Sequence, residues 1–310
     1  MKVCFCGLGS IGKRHLRNLH TVAHEQNLPL EVHALRKTHT PLDDTVQALL
    51  SRQLFEEREL DSDYDIAFIT NPTSLHYDTV KAMAGRTEHL FIEKPLFDSA
   101  WYRLEDLKLN PQGVSYAAGP LRFSPVIQKL GEILSREPVY SVRVLCSSYL
   151  PDWRPGDYRK VYSARKELGG GVALDLIHEW DYLVALFGFP QTVFRVSGKY
   201  SPLEIDSEDL SVYIARYPDK AVELHLDYFG RVPRREIELF TESGTITGDL
   251  FANTVTFTDG RERIHYEEEE NESYLREMRF FLSHVESGAA YSNLNRCLAV
   301  LNIALGKEQA

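Results

Sequence analysis

Several features are scarce or missing in this 310-residue chain, and their absence narrows what it can be. It has only four cysteines, with no Cys-x-x-Cys pair and no Cys/His cluster at zinc spacing. That argues against a disulfide-stapled scaffold and a structural metal, and for free core thiols in a reducing, cytoplasmic setting. No apolar run approaches the roughly 20 residues that span a bilayer. The N-terminus breaks from Met1-Lys2-Val3-Cys4-Phe5-Cys6 straight into Gly7-Leu8-Gly9, so it does not read as a signal peptide. Basic residues are outnumbered, 35 to 45, and the net charge of −10 makes nucleic acid a poor partner. Internal repeats and low-complexity linkers are also missing.

What remains is an ordinary globular composition, 43% hydrophobic and 26% charged, at a length comfortable for two domains. The first 120 residues alternate strand and helix signals. Strands are predicted at 2–6, 31–35, 66–69, 89–92 and 114–118. Helices are predicted at about 10–26 and 75–83, and again before residue 114. Such alternation predicts a doubly wound parallel sheet covered by helices, a Rossmann domain over residues 1–121. Afterwards the rhythm changes. A helix at 125–136 leads into a strand at 139–149, and further strands are expected at 192–199, 210–217, 221–229, 236–241, 254–258 and 263–266. Two closing helices are expected at 273–287 and 293–307. Residues 122–310 therefore read as an α+β domain with an open antiparallel sheet.

Gly7-Leu8-Gly9-Ser10-Ile11-Gly12 is a complete G-x-G-x-x-G, with an apolar strand before it and a helix after it. Gly7 permits the tight turn, Gly9 lets a pyrophosphate approach the backbone, and Gly12 lets helix and strand pack. The amides around Ser10 and Ile11 would then hold phosphate. About 20 residues further on, a carboxylate would bind the ribose 2′-hydroxyl of NAD. Arg36 and Lys37 stand there instead, which favours NADP over NAD. Two more segments follow predicted strand ends, where open α/β sheets bind ligands: Thr70-Asn71-Pro72 with His76, and Glu93-Lys94-Pro95. His15, His20 and His24 recur along the first helix and are expected on its outer face rather than on a metal.

The glycine fingerprint, the Asn-Pro…His segment and Glu93-Lys94-Pro95, followed by an antiparallel domain, resemble the glucose–fructose oxidoreductase/inositol dehydrogenase (Gfo/Idh/MocA) family. The resemblance implies a nicotinamide-dependent oxidoreductase in which Lys94 reaches both the substrate hydroxyl and the nicotinamide ribose. It also implies an aspartate and a histidine acting beside that lysine. The matching segment is Gly169-Gly170-Gly171 followed by Asp175-Leu176-Ile177-His178-Glu179. On one helix, Asp175, His178, Glu179 and Tyr182 would share a polar face, able to move a hydroxyl proton. The family usually spaces the pair four apart. Here His178 comes three after Asp175, and Glu179 takes the usual place. His178 is matched to the family histidine because His178-x-x-Asp181 keeps the spacing to the next acid, and a share for Glu179 stays open. Residues 149–159 form a Pro-rich, aromatic and basic loop in which Trp153 offers a sugar-stacking face. Arg154, Arg159 and Tyr158 could bind substrate there, with Arg122 at the domain boundary. The segment resembles a subgroup associated with bacterial surface carbohydrates. The resulting expectation is reversible hydride transfer to or from a sugar carbon, by a homo-oligomer (dimer or tetramer) joined through the open sheet face. Two other readings share the fold: a non-catalytic nucleotide sensor and a bilin-type reductase.

Overall fold

The computed structural model describes residues 1–307; residues 308–310, the last of the expected second domain, lie outside it. The chain opens with β1 (Lys2–Cys6), α1 (Ser10–Glu25), β2 (Glu31–Leu35), α2 (Asp44–Gln47) and β3 (Arg52–Leu54). It continues through β4 (Tyr64–Ile69), α3 (His76–Met83), β5 (Thr87–Ile92) and β6 (Val114–Ala117). β1 is buried from Val3 to Cys6, the pattern of a parallel strand covered on both faces. α1 turns His15, Leu16, Leu19, Val22 and Ala23 inward at helical spacing. It stops where Asn27 enters the left-handed region (φ 56°). The amides of Asn27 and Leu28 then close on His24 O and Ala23 O, a Schellman ending. No α-helix precedes β6. The expected one is a single 3₁₀ turn, Leu104–Leu107, ended by Lys108 at φ 51°.

Next come α4 (Pro125–Leu134), β7 (Val139–Tyr149), α5 (Val172–Asp175), α6 (His178–Phe187), β8 (Thr192–Gly198), β9 (Leu210–Arg216) and β10 (Ala221–Asp227). They are followed by β11 (Phe229–Thr241), β12 (Thr245–Asp249), β13 (Thr254–Phe257) and β14 (Ile264–His265). The chain closes with α7 (Glu272–Ser287), β15 (Tyr291–Ser292) and α8 (Leu294–Ala304).

The chain forms two compact units, Met1–Ala118 with Tyr274–Leu298, and Gly119–Ser273 with the residues from Ala299 onward. The first holds a seven-stranded, wholly parallel sheet in the order β15-β6-β5-β4-β1-β2-β3. Its core includes Phe5, Phe68, Phe91 and Tyr116, with Phe281 of α7 against them. The second holds eight strands in the order β14-β13-β12-β11-β7-β10-β9-β8. This sheet is mixed rather than purely antiparallel, because β7 and β10 run parallel. Between them the chain makes α5, α6 and the β8–β9 hairpin before returning beside β7, a crossover that alternation within single strands does not reveal. One row of this sheet, Phe194–Ile214–Glu223–Arg143–Glu238, crosses five neighbouring strands. Phe194 (74% exposed) and Ile214 (46%) are open at one end of the row. At the other end Arg143 is paired to Glu223 and Glu238.

Candidate active site

The glycine turn sits between β1 and α1. Gly7 has φ +102°, and a Cβ there would lie 2.8 Å from the Asn71 backbone, so only glycine fits. At Gly12 a Cβ would meet Gly7 O at 2.5 Å and Thr70 Oγ1 at 2.9 Å. Thr70 donates its hydroxyl to Gly7 O at 2.6 Å and thereby braces the turn. Gly9 is different: no protein atom lies within 4 Å of its Cβ position. Gly9 caps α1 without a side-chain bond, and the first turn carries no acid. The amides of Ser10, Ile11 and Gly12 are therefore left for an anion, so the residues present fit a dinucleotide pyrophosphate.

At the end of β2 the two cations differ. Arg36 is buried and donates to Gln53 Oε1 and to Thr40 O, and so is held by its own loop. Lys37 is exposed and has no ion-pair partner among the described residues.

The ends of β4 and β5 lie side by side. Asn71 donates Nδ2–H to Thr79 Oγ1 at 2.7 Å, while its buried Oδ1 accepts nothing, leaving an acceptor beside the glycine turn. Pro72 is exposed at the turn. His76 is buried, with Nε2 3.0 Å from Asn71 O and Nδ1 3.1 Å from Pro95 O. Burial lowers its pKa and outweighs the carbonyls around it; a neutral ring carries one N–H and so donates to only one of these strand-end carbonyls. Its position is behind the site rather than in it. Lys94 is half-buried, and its backbone N–H donates to Glu93 Oε2 at 2.9 Å. Glu93 Oε1 lies 2.6 Å from Nε2 of His15. His15 is thus not on the outer face of α1 as expected; it is 0% exposed and points at the sheet. Of the other two, His20 is half-buried with Nε2 on Leu49 O, and His24 is exposed. Burial opposes ionisation of Glu93, but His15 and Lys94 more than offset it, and its pKa falls below the ordinary range.

In the second unit the segment 172–187 is two helices, not one. Leu176 (φ −97°, ψ 26°) breaks the first after Asp175, and His178 begins the second. The expected common polar face does not exist. Asp175 accepts the Tyr228 hydroxyl at 2.6 Å, and burial followed by the Asp175 charge pushes the Tyr228 pKa far up. His178 retains slight exposure, whereas Glu179 has none. Glu179 lies 2.8 Å from Arg235 of β11, beneath α6. Burial works against the Arg235 charge, and the Glu179 carboxylate overrides it, raising the Arg235 pKa. Cys146, beside the pair, is pushed up to about 12, by burial first and then by Glu179. Glu179 is thus a fully buried carboxylate held by its own arginine, with no exposed surface to offer a substrate, against the expectation that it shares the polar face.

Arg122, expected as a substrate-binding residue, pairs with Asp181 at 2.9 Å. In the 149–159 loop, Trp153 donates Nε1–H to Ser148 Oγ at 2.9 Å and sets its ring edge-on to Tyr228. Tyr228 is the residue the sequence did not flag. It joins the Trp153 loop to Asp175, and nothing in the strand pattern marks it. Trp153, Arg154 and Tyr158 line a small, open surface recess with Leu150, Val161 and Ser163. Arg159 is tied to Asp157 and Glu204, whereas Arg154 is exposed and has no such partner among the described residues.

Residues 1–108 match the profile of the GFO_IDH_MocA family, described as "Oxidoreductase family, NAD-binding Rossmann fold". The myo-inositol 2-dehydrogenase of Thermotoga maritima is 26% identical over 313 aligned positions, covering 93% of this chain and 89% of that protein. Over residues 1–108 the chain matches the NAD-binding domain of the Gfo/Idh/MocA family. It is an oxidoreductase with an NAD-binding Rossmann domain. The fold of the chain is also that of levoglucosan dehydrogenase in complex with NADH and levoglucosan. That match has a TM-score of 0.83 at 18% identity, over 98% of this chain and 95% of that one. The UDP-N-acetylglucosamine 3-dehydrogenase of Acidithiobacillus ferrooxidans superposes with a TM-score of 0.75 at 20% identity, over 99% and 96% of the two chains. Among the described residues, no helix is long and apolar enough to cross a membrane.

Proposed function

We propose that this chain oxidises or reduces a sugar or sugar derivative at a carbinol or carbonyl carbon. The observation that carries the reading is the Trp153–Tyr228–Asp175 connection, which sets a buried carboxylate beside an aromatic, arginine-bearing recess. A nicotinamide dinucleotide supplies the hydride acceptor or donor when bound. Lys94 polarises the reacting oxygen and His178 exchanges the hydroxyl proton. Asp175, oriented by Tyr228, holds a neighbouring hydroxyl. Trp153 gives the ring a stacking surface and Arg154 takes an anionic substituent. The names of the inositol, levoglucosan and UDP-N-acetylglucosamine enzymes support a carbohydrate substrate. The exposed Phe194 and Ile214 on the open sheet face support a homo-oligomer formed there.

The test begins with the cofactor. A Gly9→Val variant places side-chain atoms where the pyrophosphate must approach, while nothing in the protein resists them. It should stay folded and lose dinucleotide binding in a fluorescence titration with NADH and NADPH. Undiminished binding by the folded variant would remove the proposal at its root.

Cofactor preference is a second reading of this site. NADPH should bind more tightly than NADH, with Lys37 as the main contact, because Arg36 is already committed to Gln53 and Thr40. Lys37→Ala should lower the NADPH-to-NADH affinity ratio about threefold to tenfold, the effect of one partly exposed charge-assisted bond. A wild-type protein that binds NADH more tightly would overturn the assignment.

A further inference from the structure

One buried contact in the first unit has no part in the chemistry so far. The His15 ring is fully enclosed, edge-on to Phe91 at 4.8 Å and with Phe68 and Tyr274 also beside it. Its Nε2 lies 2.6 Å from Glu93 Oε1, the short separation of a charge-assisted bond. Its Nδ1 is buried without a partner. A proton on Nδ1 would be a stranded donor in an aromatic shell, which costs more than a stranded acceptor. The proton therefore sits on Nε2, and the imidazole donates to a carboxylate that keeps its charge.

The other oxygen of that carboxylate accepts the backbone N–H of Lys94. One buried carboxylate thus joins α1, three residues beyond Gly12, to the residue that carries the ammonium group. Without a donor on Oε1, Glu93 would be an unpaired buried charge and would turn, ionise less or draw in water. Any of these would move the Lys94 backbone.

We propose that His15 is a positioning residue for Lys94, acting through Glu93. The inference rests on the reading of Lys94 as a group that works at the cofactor, and the experiment separates the two. The probe is the rate at which trinitrobenzenesulfonate modifies the Lys94 amine, read by peptide mass spectrometry against the other lysines, with and without NADH. NADH should shield Lys94 in the wild-type protein. Absence of shielding would take down the role of Lys94 and this inference with it.

With shielding present, His15→Leu should change the Lys94 rate by about twofold or more, the low end of coupling between contacting residues. The other lysines should keep their rates, and NADH affinity should stay within about threefold. His15→Gln, which can still donate to the carboxylate, should restore the Lys94 rate. An unchanged Lys94 rate in His15→Leu, a shift shared by all lysines, or failure of the glutamine variant to rescue would each overturn the inference alone. If His15→Leu does not fold, Glu93→Gln is compared with Glu93→Gln/His15→Leu, where no carboxylate is stranded. The two should then share one Lys94 rate, different from wild type. Unequal rates would show that His15 acts by another route.

Discussion

Replacing His178 by alanine should lower turnover by about 10²–10⁴ while NADH affinity stays within a few-fold, the loss expected when a proton-transfer group is removed. The assay is steady-state oxidation of myo-inositol, levoglucosan and UDP-N-acetylglucosamine, with Lys94→Ala run beside it on whichever compound reacts. His178 starts α6 immediately after the break at Leu176, close in sequence to a carboxylate whose direction Tyr228 holds. Glu179 is the control. Its carboxylate faces Arg235 and has no solvent access, so a folded Glu179→Gln variant should keep most of its turnover. A folded Glu179→Gln variant that is inactive, beside an active His178→Ala, would reverse the two roles.

Arg235→Met should destabilise the second unit by about 3–5 kcal/mol, because it leaves Glu179 as an uncompensated charge under the sheet. Glu179 is fully enclosed, and Arg235, fixed on β11 between β7 and β12, keeps only 17% of its side chain exposed. Water cannot readily take over the missing partner. The double variant Glu179→Gln/Arg235→Met strands no charge and should recover most of the loss, since buried ion pairs stabilise little relative to neutral replacements. Urea unfolding followed by Trp180 fluorescence is the measurement, because Trp180 is completely buried on α6 in the same unit. A midpoint drop of about 1–2 M is expected for the single variant. Equal midpoints for wild type and Arg235→Met would show that Glu179 has another partner or is not charged.

Local patterns carried much of this protein. The parallel first sheet was legible because a strand buried on both faces is continuously apolar and each helix shows its own period. The glycine turn was legible because a tight turn and a close strand–helix contact tolerate no side chain, and Gly7 and Gly12 bear out that logic against Asn71, Thr70 and each other. Residues committed to distant partners were misread. His15 has the spacing of a surface histidine, and only the return of β5 beside β4 brings Glu93 to its ring. Glu179 and Tyr182 have the spacing of a polar face, yet both are fully buried. Arg36 read as a cofactor contact and Arg122 as a substrate contact, and Gln53, Thr40 and Asp181 hold them.

By itself, then, the sequence determined the glycine turn and the order of most elements, both of which depend on residues within a few positions of one another. Tertiary structure alone decided which charges are available for chemistry and which are neutralised. It also decided that β7 and β10 run parallel and that β15 closes the first sheet beside β6. The reason is the range of the forces involved. Helical and strand periods and glycine sterics act between near neighbours in the chain. The burial that demands a partner for a carboxylate, and the partner itself, come from segments up to 78 residues apart at Glu93, and from different elements at Glu179.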